Sequence, residues 1–208
     1  MKNTDYTIRL SISTDLLDWD LDKKNHIQTK NLSSDEKRET ALIKITNESV
    51  FSEIDEINSV EIIVLSGIYS NEFGDFEEGS YLLFPKENAK LVHTKDRCTF
   101  FRKKNYLQNP STSIIQTRTE TWRNGQGNLM VMPLSEHAAL VKWPKNERFV
   151  KHQHYGGEEI FVLSGTFMDE HGVYPKHTWI RSPHLSIHYP FVEEETIIFV
   201  KTGHLLPK

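Results

Sequence analysis

Three histidines and one glutamate offer the chemistry that can be read directly from this chain. His152 and His154 are two residues apart. On an extended strand that spacing sends both imidazoles to one face, because side chains alternate with a period of two. Glu158 has the same parity, beyond Gly156 and Gly157, where the missing Cβ atoms let the backbone bend sharply. His188 follows far enough along the chain for it to run out, turn and come back. Three imidazoles and a carboxylate suit a borderline divalent metal such as Zn, Fe, Mn or Ni. Four such ligands either close a tetrahedral zinc site or leave positions open on a metal of larger coordination number. Neutral imidazoles and one carboxylate leave a divalent ion with about one net positive charge, which attracts an enolate, carboxylate or hydroxide. The competing reading is a group of hydrogen-bonded polar residues with no ion among them.

An internal repeat favours the metal reading. Sliding the chain by 98 residues aligns 41–103 with 139–201 without a gap. Glu61-Ile-Ile-Val-Leu-Ser-Gly67 falls on Glu159-Ile-Phe-Val-Leu-Ser-Gly165, Pro85 on Pro183, and Phe101 and Lys103 on Phe199 and Lys201. Self-similarity of this kind marks two copies of one structural unit. In the first copy Ile54 stands at the position of His152, Glu56 at His154, Val60 at Glu158 and Lys90 at His188. All four candidate ligands are absent together while the residues between them persist. Glu159 keeps its counterpart in Glu61, so Glu158 belongs with the histidines and Glu159 with the scaffold. Lys90 near Glu56 is either an ion pair in place of a cation or a solvated surface pair.

The run His152-x-His154 with Glu158 and Gly165 resembles the first signature of the cupins. Pro183 with His188 resembles their second, with Leu185 where that signature usually has Gly. The longer run Gly156–Gly165, then Asp169-Glu170-His171-Gly172 and Tyr174-Pro175, is similar to the cupin domain of ChrR-type anti-sigma factors and their stand-alone relatives. The resemblance implies an all-β fold of two tandem cupin barrels (jelly rolls, or double-stranded β-helices). Residues 1–106 form the copy without ligands, and 107–208 the copy that binds metal. It further implies a metal cupin that binds or senses a small oxidised or anionic molecule in a stress response. A second implication is an Fe(II)-dependent dioxygenase that cleaves a diketone- or acetophenone-like substrate. A third is a structural metal without activity. In the ChrR family the cupin works with a zinc-binding anti-sigma domain. The first 40 residues here hold His26 and no Cys, so direct sigma-factor binding is not expected.

The positioning elements read as short strands. Ile8–Ser13, Ala41–Ile45, Glu61–Leu65, Ser80–Phe84, Cys98–Arg102, Ile114–Thr119, Leu129–Pro133, Ala139–Trp143, Ile160–Leu163, Thr178–Arg181 and Thr196–Val200 are rich in β-branched, aromatic or alternating apolar residues. Gly67, Gly74, Gly79, Pro85 and Asn88 punctuate turns. Thr14–Trp19 suggests one helical turn opened by Thr14 or Asp15, and 23–40 and 104–128 read as loops. No apolar stripe of helical period exceeds about two turns, so long helices are not expected. His152, His154 and Glu158 are expected on one wall of the second barrel and His188 on the opposite wall.

The remaining features read as structural. His171, His177 and His184 are expected as exposed loop histidines. Trp143, Phe161, Trp179 and Phe199 are expected in the core, or lining a pocket for a planar ligand. Arg102-Lys103-Lys104 reads as a solvated strand end. Cys98 is the single cysteine of 208 residues, so no intrachain disulfide forms, and it reads as a small buried residue. A net charge of −4, with no basic stripe, gives nucleic-acid binding no support. With no apolar leader or span either, a cytoplasmic protein without membrane partner is expected, as a monomer or homodimer binding a small molecule.

Overall fold

The computed structural model describes residues 1–22, 27–46, 49–52, 59–86, 91–94, 97–108 and 110–205, with 22, 49–52 and 91–94 described by backbone alone. Among these residues the structure is largely strands and turns, with a 3-10 turn at Thr14–Leu16. None forms a helix long and apolar enough to cross a membrane. Ile54, Glu56, Asn88 and Lys90 lie outside the described residues. So do the side chains of Ser49–Ser52 and Leu91–Thr94.

The chain forms two compact units. The first comprises residues 1–4 and 18–120, and the second residues 5–17 and 121–208. A cut at 106/107, where the repeats meet in sequence, therefore leaves the first strand and the Ser113–Gln116 strand on the other side from the units that hold them. In the second unit a seven-stranded antiparallel sheet runs in the order Leu10–Ser13, Thr178–Ser182, Glu158–Ser164, Thr196–Thr202, Ala138–Trp143, Met130–Pro133, Arg123–Asn124. Two ribbons complete it: His152–His154 with Ser186–His188, and Thr166–Asp169 with Gly172–Pro175. In the first unit the main path is Ser113–Gln116, Ser80–Pro85, Ser59–Asn71, Cys98–Lys104, Glu39–Ile45, Ile27–Ser34, Asp20–Asp22.

The registers repeat with the same 98-residue offset as the sequence. Phe101 pairs with Ile63 and Phe199 with Phe161; Val60 pairs with Phe84 and Glu158 with Ser182. Even the irregularity recurs, since the pairing of Cys98–Lys104 skips Leu65 and that of Thr196–Thr202 skips Leu163. Both bulges are followed by a glycine in the left-handed region, Gly67 (φ 76°) and Gly165 (φ 72°). A Cβ on either would sit 1.9 Å from the Arg97 carbonyl oxygen or 2.4 Å from that of Glu195. Only glycine fits there.

Alternation fills each interior. Ile160, Val162, Ile180, Ile198, Trp143, Phe167 and Tyr174 form one buried cluster, and Val60, Ile62, Val64, Leu82, Phe84 and Phe100 the matching cluster of the first unit. Each fully buried aliphatic or aromatic side chain contributes roughly 1.5–3 kcal/mol relative to exposure. Two all-β barrels of cupin type result.

Several local expectations fail for identifiable reasons. Residues 27–34, read as part of a loop, form an eight-residue strand. Its composition is polar, but Leu32 is fully buried and the Lys30 ammonium lies 4.6 Å from the centre of the Trp19 ring, so a cation over an aromatic face helps cover a polar strand. The turn at Thr14–Leu16 is opened by Ser13 without a side-chain cap, and the Thr14 hydroxyl instead donates to the His177 carbonyl at 2.8 Å. Arg102 and Lys103 are buried rather than solvated. Arg102 pairs with Glu39 at 2.5 Å, and Lys103 donates to Thr40 and stands over the Tyr106 ring. Cys98 is buried, and burial pushes its thiol up to about 12.

Candidate metal centre

The histidines share one antiparallel ribbon rather than facing each other across a barrel. His152 lies opposite His188 and His154 opposite Ser186. The ribbon is set by its turns. Gly156 and Gly157 have φ 75° and 71°, and a Cβ on Gly157 would come within 2.8 Å of the Ser182 carbonyl oxygen. On the other strand Leu185 adopts φ 63°, so the turn that usually has glycine is made here by a half-exposed leucine in a left-handed conformation. Its N–H donates to the His154 carbonyl at 2.9 Å, tying the two strands at the histidines.

The ribbon brings three Nε2 atoms together. His154 and His188 are 2.9 Å apart at Nε2, and His188 and His152 3.3 Å. The three rings meet as one group able to hold a metal ion. Glu158, from the seven-stranded sheet, adds Oε2 at 3.5 Å from His154 Nε2 and 3.6 Å from His188 Nε2. The four candidate residues are thus neighbours. Val60, at the position of Glu158 in the first unit, is buried in that unit's apolar core.

Hydrogen bonds on the far side of two rings assign their tautomers. His152 Nδ1 faces the Val150 carbonyl at 2.9 Å and His188 Nδ1 faces Asp169 Oδ2 at 3.2 Å. Both partners only accept, so both Nδ1 atoms carry hydrogen, and the Nε2 atom of each ring is the one that faces the other histidines. Glu158 Oε2 is buried with no hydrogen-bond partner. Three ring nitrogens converging beside a carboxylate oxygen without a hydrogen-bond partner form a donor set that a bound cation would satisfy. The donor set therefore fits a divalent transition metal.

Burial, then the neighbouring His188 and His152, push His154 down to about 3. His152 is lowered too, chiefly by burial. Burial also pushes Glu158 up to about 7, although the charges of His188 and Arg9 pull the other way. Burial alone would raise Asp169, but the hydrogen bond from His188 and the charge of Arg9 outweigh it and bring the carboxyl down to about 2. Phe149 packs edge-on against His152 at 5.1 Å between ring centres, Phe167 lies 6.3 Å from His188, and Trp143 touches both phenyl rings. Trp143 is thus a core residue that backs the two phenyl rings beside the histidines.

The other histidines serve elsewhere. His171 is exposed; His177 is half-buried against Asp15, and His184 accepts a hydrogen bond from the Gly156 N–H at 2.8 Å. Glu159 meets His204 at 2.6 Å and Glu61 accepts from Tyr81 at 2.7 Å, consistent with their scaffold assignment. Sequence reasoning missed Arg9 and Tyr174 and gave Asp169 no role, yet all three stand behind His188.

A double barrel with a histidine ribbon of this form defines a cupin. The family model of the ChrR cupin-like domain matches residues 8–108 and again 110–206. The chain belongs to the ChrR cupin-like family. A comparison with curated proteins finds no match. Among solved structures it is similar to the protein Ylba of E. coli (13% identity, 98% of this chain and 94% of that one, TM-score 0.71). It is likewise similar to a proposed dioxygenase of Nostoc punctiforme (12% identity, 97% and 85%, TM-score 0.77). A third similar structure is Bacillus subtilis oxalate decarboxylase, described with Mn(II) centres (10% identity, 95% and 78%, TM-score 0.63). At these identities the likeness is one of fold.

Proposed function

We propose that this chain is a metal cupin in which His152, His154, Glu158 and His188 of the second barrel hold one divalent transition ion that binds a small anionic oxygen ligand. The observation that carries the reading is the orphaned Glu158 Oε2 beside three converging Nε2 atoms. A divalent ion bound there supplies Lewis-acid attraction for an enolate or carboxylate oxygen. The chain's own residues do the rest. Val150 and Asp169 hold the Nδ1 protons of His152 and His188 and so aim both rings. Phe149, Phe167 and Trp143 keep water from that side of the rings, and Glu158 balances part of the cation's charge. The ligand role is that of a sensor or binding protein for a small oxidised or anionic molecule.

A second reading, a metal-dependent dioxygenase, is supported by the fold shared with the Nostoc protein and by a donor set that leaves positions open on iron. One experiment separates the two. The protein is loaded anaerobically with Fe(II), and oxygen uptake is followed with a panel of diketones and aryl ketones. Binding of carboxylates or enolates without oxygen uptake supports the binding reading. Stoichiometric uptake with carbon–carbon cleavage supports the oxygenase, and binding of neither class overturns both.

A further inference from the structure

Asp169 makes two separable sets of contacts. Its Oδ1 accepts from the His171 backbone N–H at 2.8 Å and from the Tyr174 hydroxyl at 2.9 Å. Its Oδ2 faces His188 Nδ1 at 3.2 Å and is paired with the Arg9 guanidinium. Arg9 also donates to Ser182 Oγ at 2.8 Å and to the Tyr174 hydroxyl at 3.3 Å. The Asp169 side chain is wholly buried.

The first unit shows which of these contacts the fold needs. The common offset puts Asn71 at the position of Asp169, Phe76 at Tyr174 and Phe84 at Ser182. The edge strands extend the comparison. Leu10 pairs with Arg181 as Ser113 pairs with Leu83, so Thr112 stands where Arg9 stands. Asn71 Oδ1 still accepts from the backbone N–H two residues on, that of Phe73, at 2.8 Å. Phe76 keeps its ring 6.5 Å from Tyr69, as Tyr174 lies 6.3 Å from Phe167. The turn and the ring packing are kept. The second carboxylate oxygen, the phenol hydroxyl, the Ser182 hydroxyl and the guanidinium are lost as a set. They are lost in the unit where the histidines and Glu158 have no counterparts, and the strands there pair in the same registers. The polar network is therefore dispensable for the barrel and accompanies the histidines.

We propose that Arg9, Asp169 and Tyr174 are positioning residues for His188, and that the N-terminal segment 5–17, through Arg9, completes the metal centre of the second barrel. The inference rests on the metal reading above. Asp169 holds the Nδ1 proton of His188 so that Nε2 keeps a lone pair on the metal side. Arg9 and Tyr174 hold the carboxylate in the one orientation that reaches the ring.

The test uses the full chain and Co(II), with affinity read by competition against a chromogenic chelator and coordination by the visible bands. The variants are Asp169→Asn, which keeps the turn bond seen at Asn71, Tyr174→Phe, Arg9→Gln and Arg9→Lys. Asp169→Asn is expected to weaken Co(II) binding by roughly 10–100-fold and to shift its bands, with the metal-free protein still folded at the assay temperature. Arg9→Gln weakens it by a smaller factor, and Arg9→Lys recovers part of that loss. Binding by Asp169→Asn within twofold of the parent, with unshifted bands, overturns the proposal. A loss of affinity that tracks an equal loss of metal-free stability in both Asp169→Asn and Arg9→Gln overturns it too, since the residues would then be structural. A parent protein that binds no Co(II) defeats the metal reading itself.

Discussion

Glu158 Oε2 stands 3.5 Å from His154 Nε2, buried and without a hydrogen bond. In the metal-free protein that arrangement sets two opposed proton linkages. Glu158 is raised to about 7, so between its ordinary value near 4.5 and 7 the folded chain holds a proton the unfolded chain has lost. Its contribution to stability is full below 4.5 and disappears as pH rises through 7. His154, lowered from 6.5 to about 3, acts the other way. Its contribution is full above 6.5 and is lost as pH falls toward 3.

Metal binding must displace the Glu158 proton, and His154 has none to give. Calorimetry at pH 6 in buffers of different ionisation enthalpy should therefore show release of about one proton from this carboxyl, vanishing by about pH 8.5. Equal apparent enthalpies in all buffers at pH 6 would contradict the assignment.

Glu158→Gln separates stability from binding. At pH 8 the buried carboxylate of the metal-free parent is ionised and only partly offset by neighbouring charge, so the amide should stabilise the metal-free fold by about 1–3 kcal/mol. It should also weaken metal binding at least roughly tenfold. Denaturant unfolding and chelator competition measure the two effects.

Leu185 holds φ 63° in a turn where it is 49% exposed. Leu185→Gly removes a left-handed penalty of about 1–2 kcal/mol against a smaller loss of chain entropy, for a net gain of up to about 1 kcal/mol in urea unfolding. Metal affinity should stay unchanged, because Leu185 meets the histidine strand through its backbone N–H and carbonyl, which glycine keeps.

Val60→Glu tests the silent copy. Val60 is 1% exposed, opposite Phe84, within an apolar cluster. A carboxylate placed there alone should destabilise the protein by about 3 kcal/mol or more without adding a metal. A second bound metal in this variant would contradict the reading of the first unit.

Much of this was legible beforehand because two signals agreed. Period-two alternation located most strands, and subtraction of one repeat from the other picked Glu158 over Glu159. The same subtraction reaches Asp169 and Tyr174, whose counterparts are Asn71 and Phe76, once one asks which charge or hydroxyl is lost rather than which metal ligand. Arg9 was beyond that route. It lies outside the aligned segments, and only the pairing of Leu10–Ser13 with Thr178–Ser182 brings it to His188. The strand at 27–34 was hidden by its polar composition, since part of the cover over Lys30 is the Trp19 ring. The shared ribbon of the histidines was hidden because parity gives the face of a strand and not its partner.

The most direct measurement is metal content of the protein purified from unsupplemented medium, by elemental analysis, beside His154→Ala. The account predicts about one divalent transition metal per chain in the parent and near none in the variant. A parent free of metal after exposure to excess zinc, iron, manganese and nickel, or a variant that keeps a full equivalent, would contradict it.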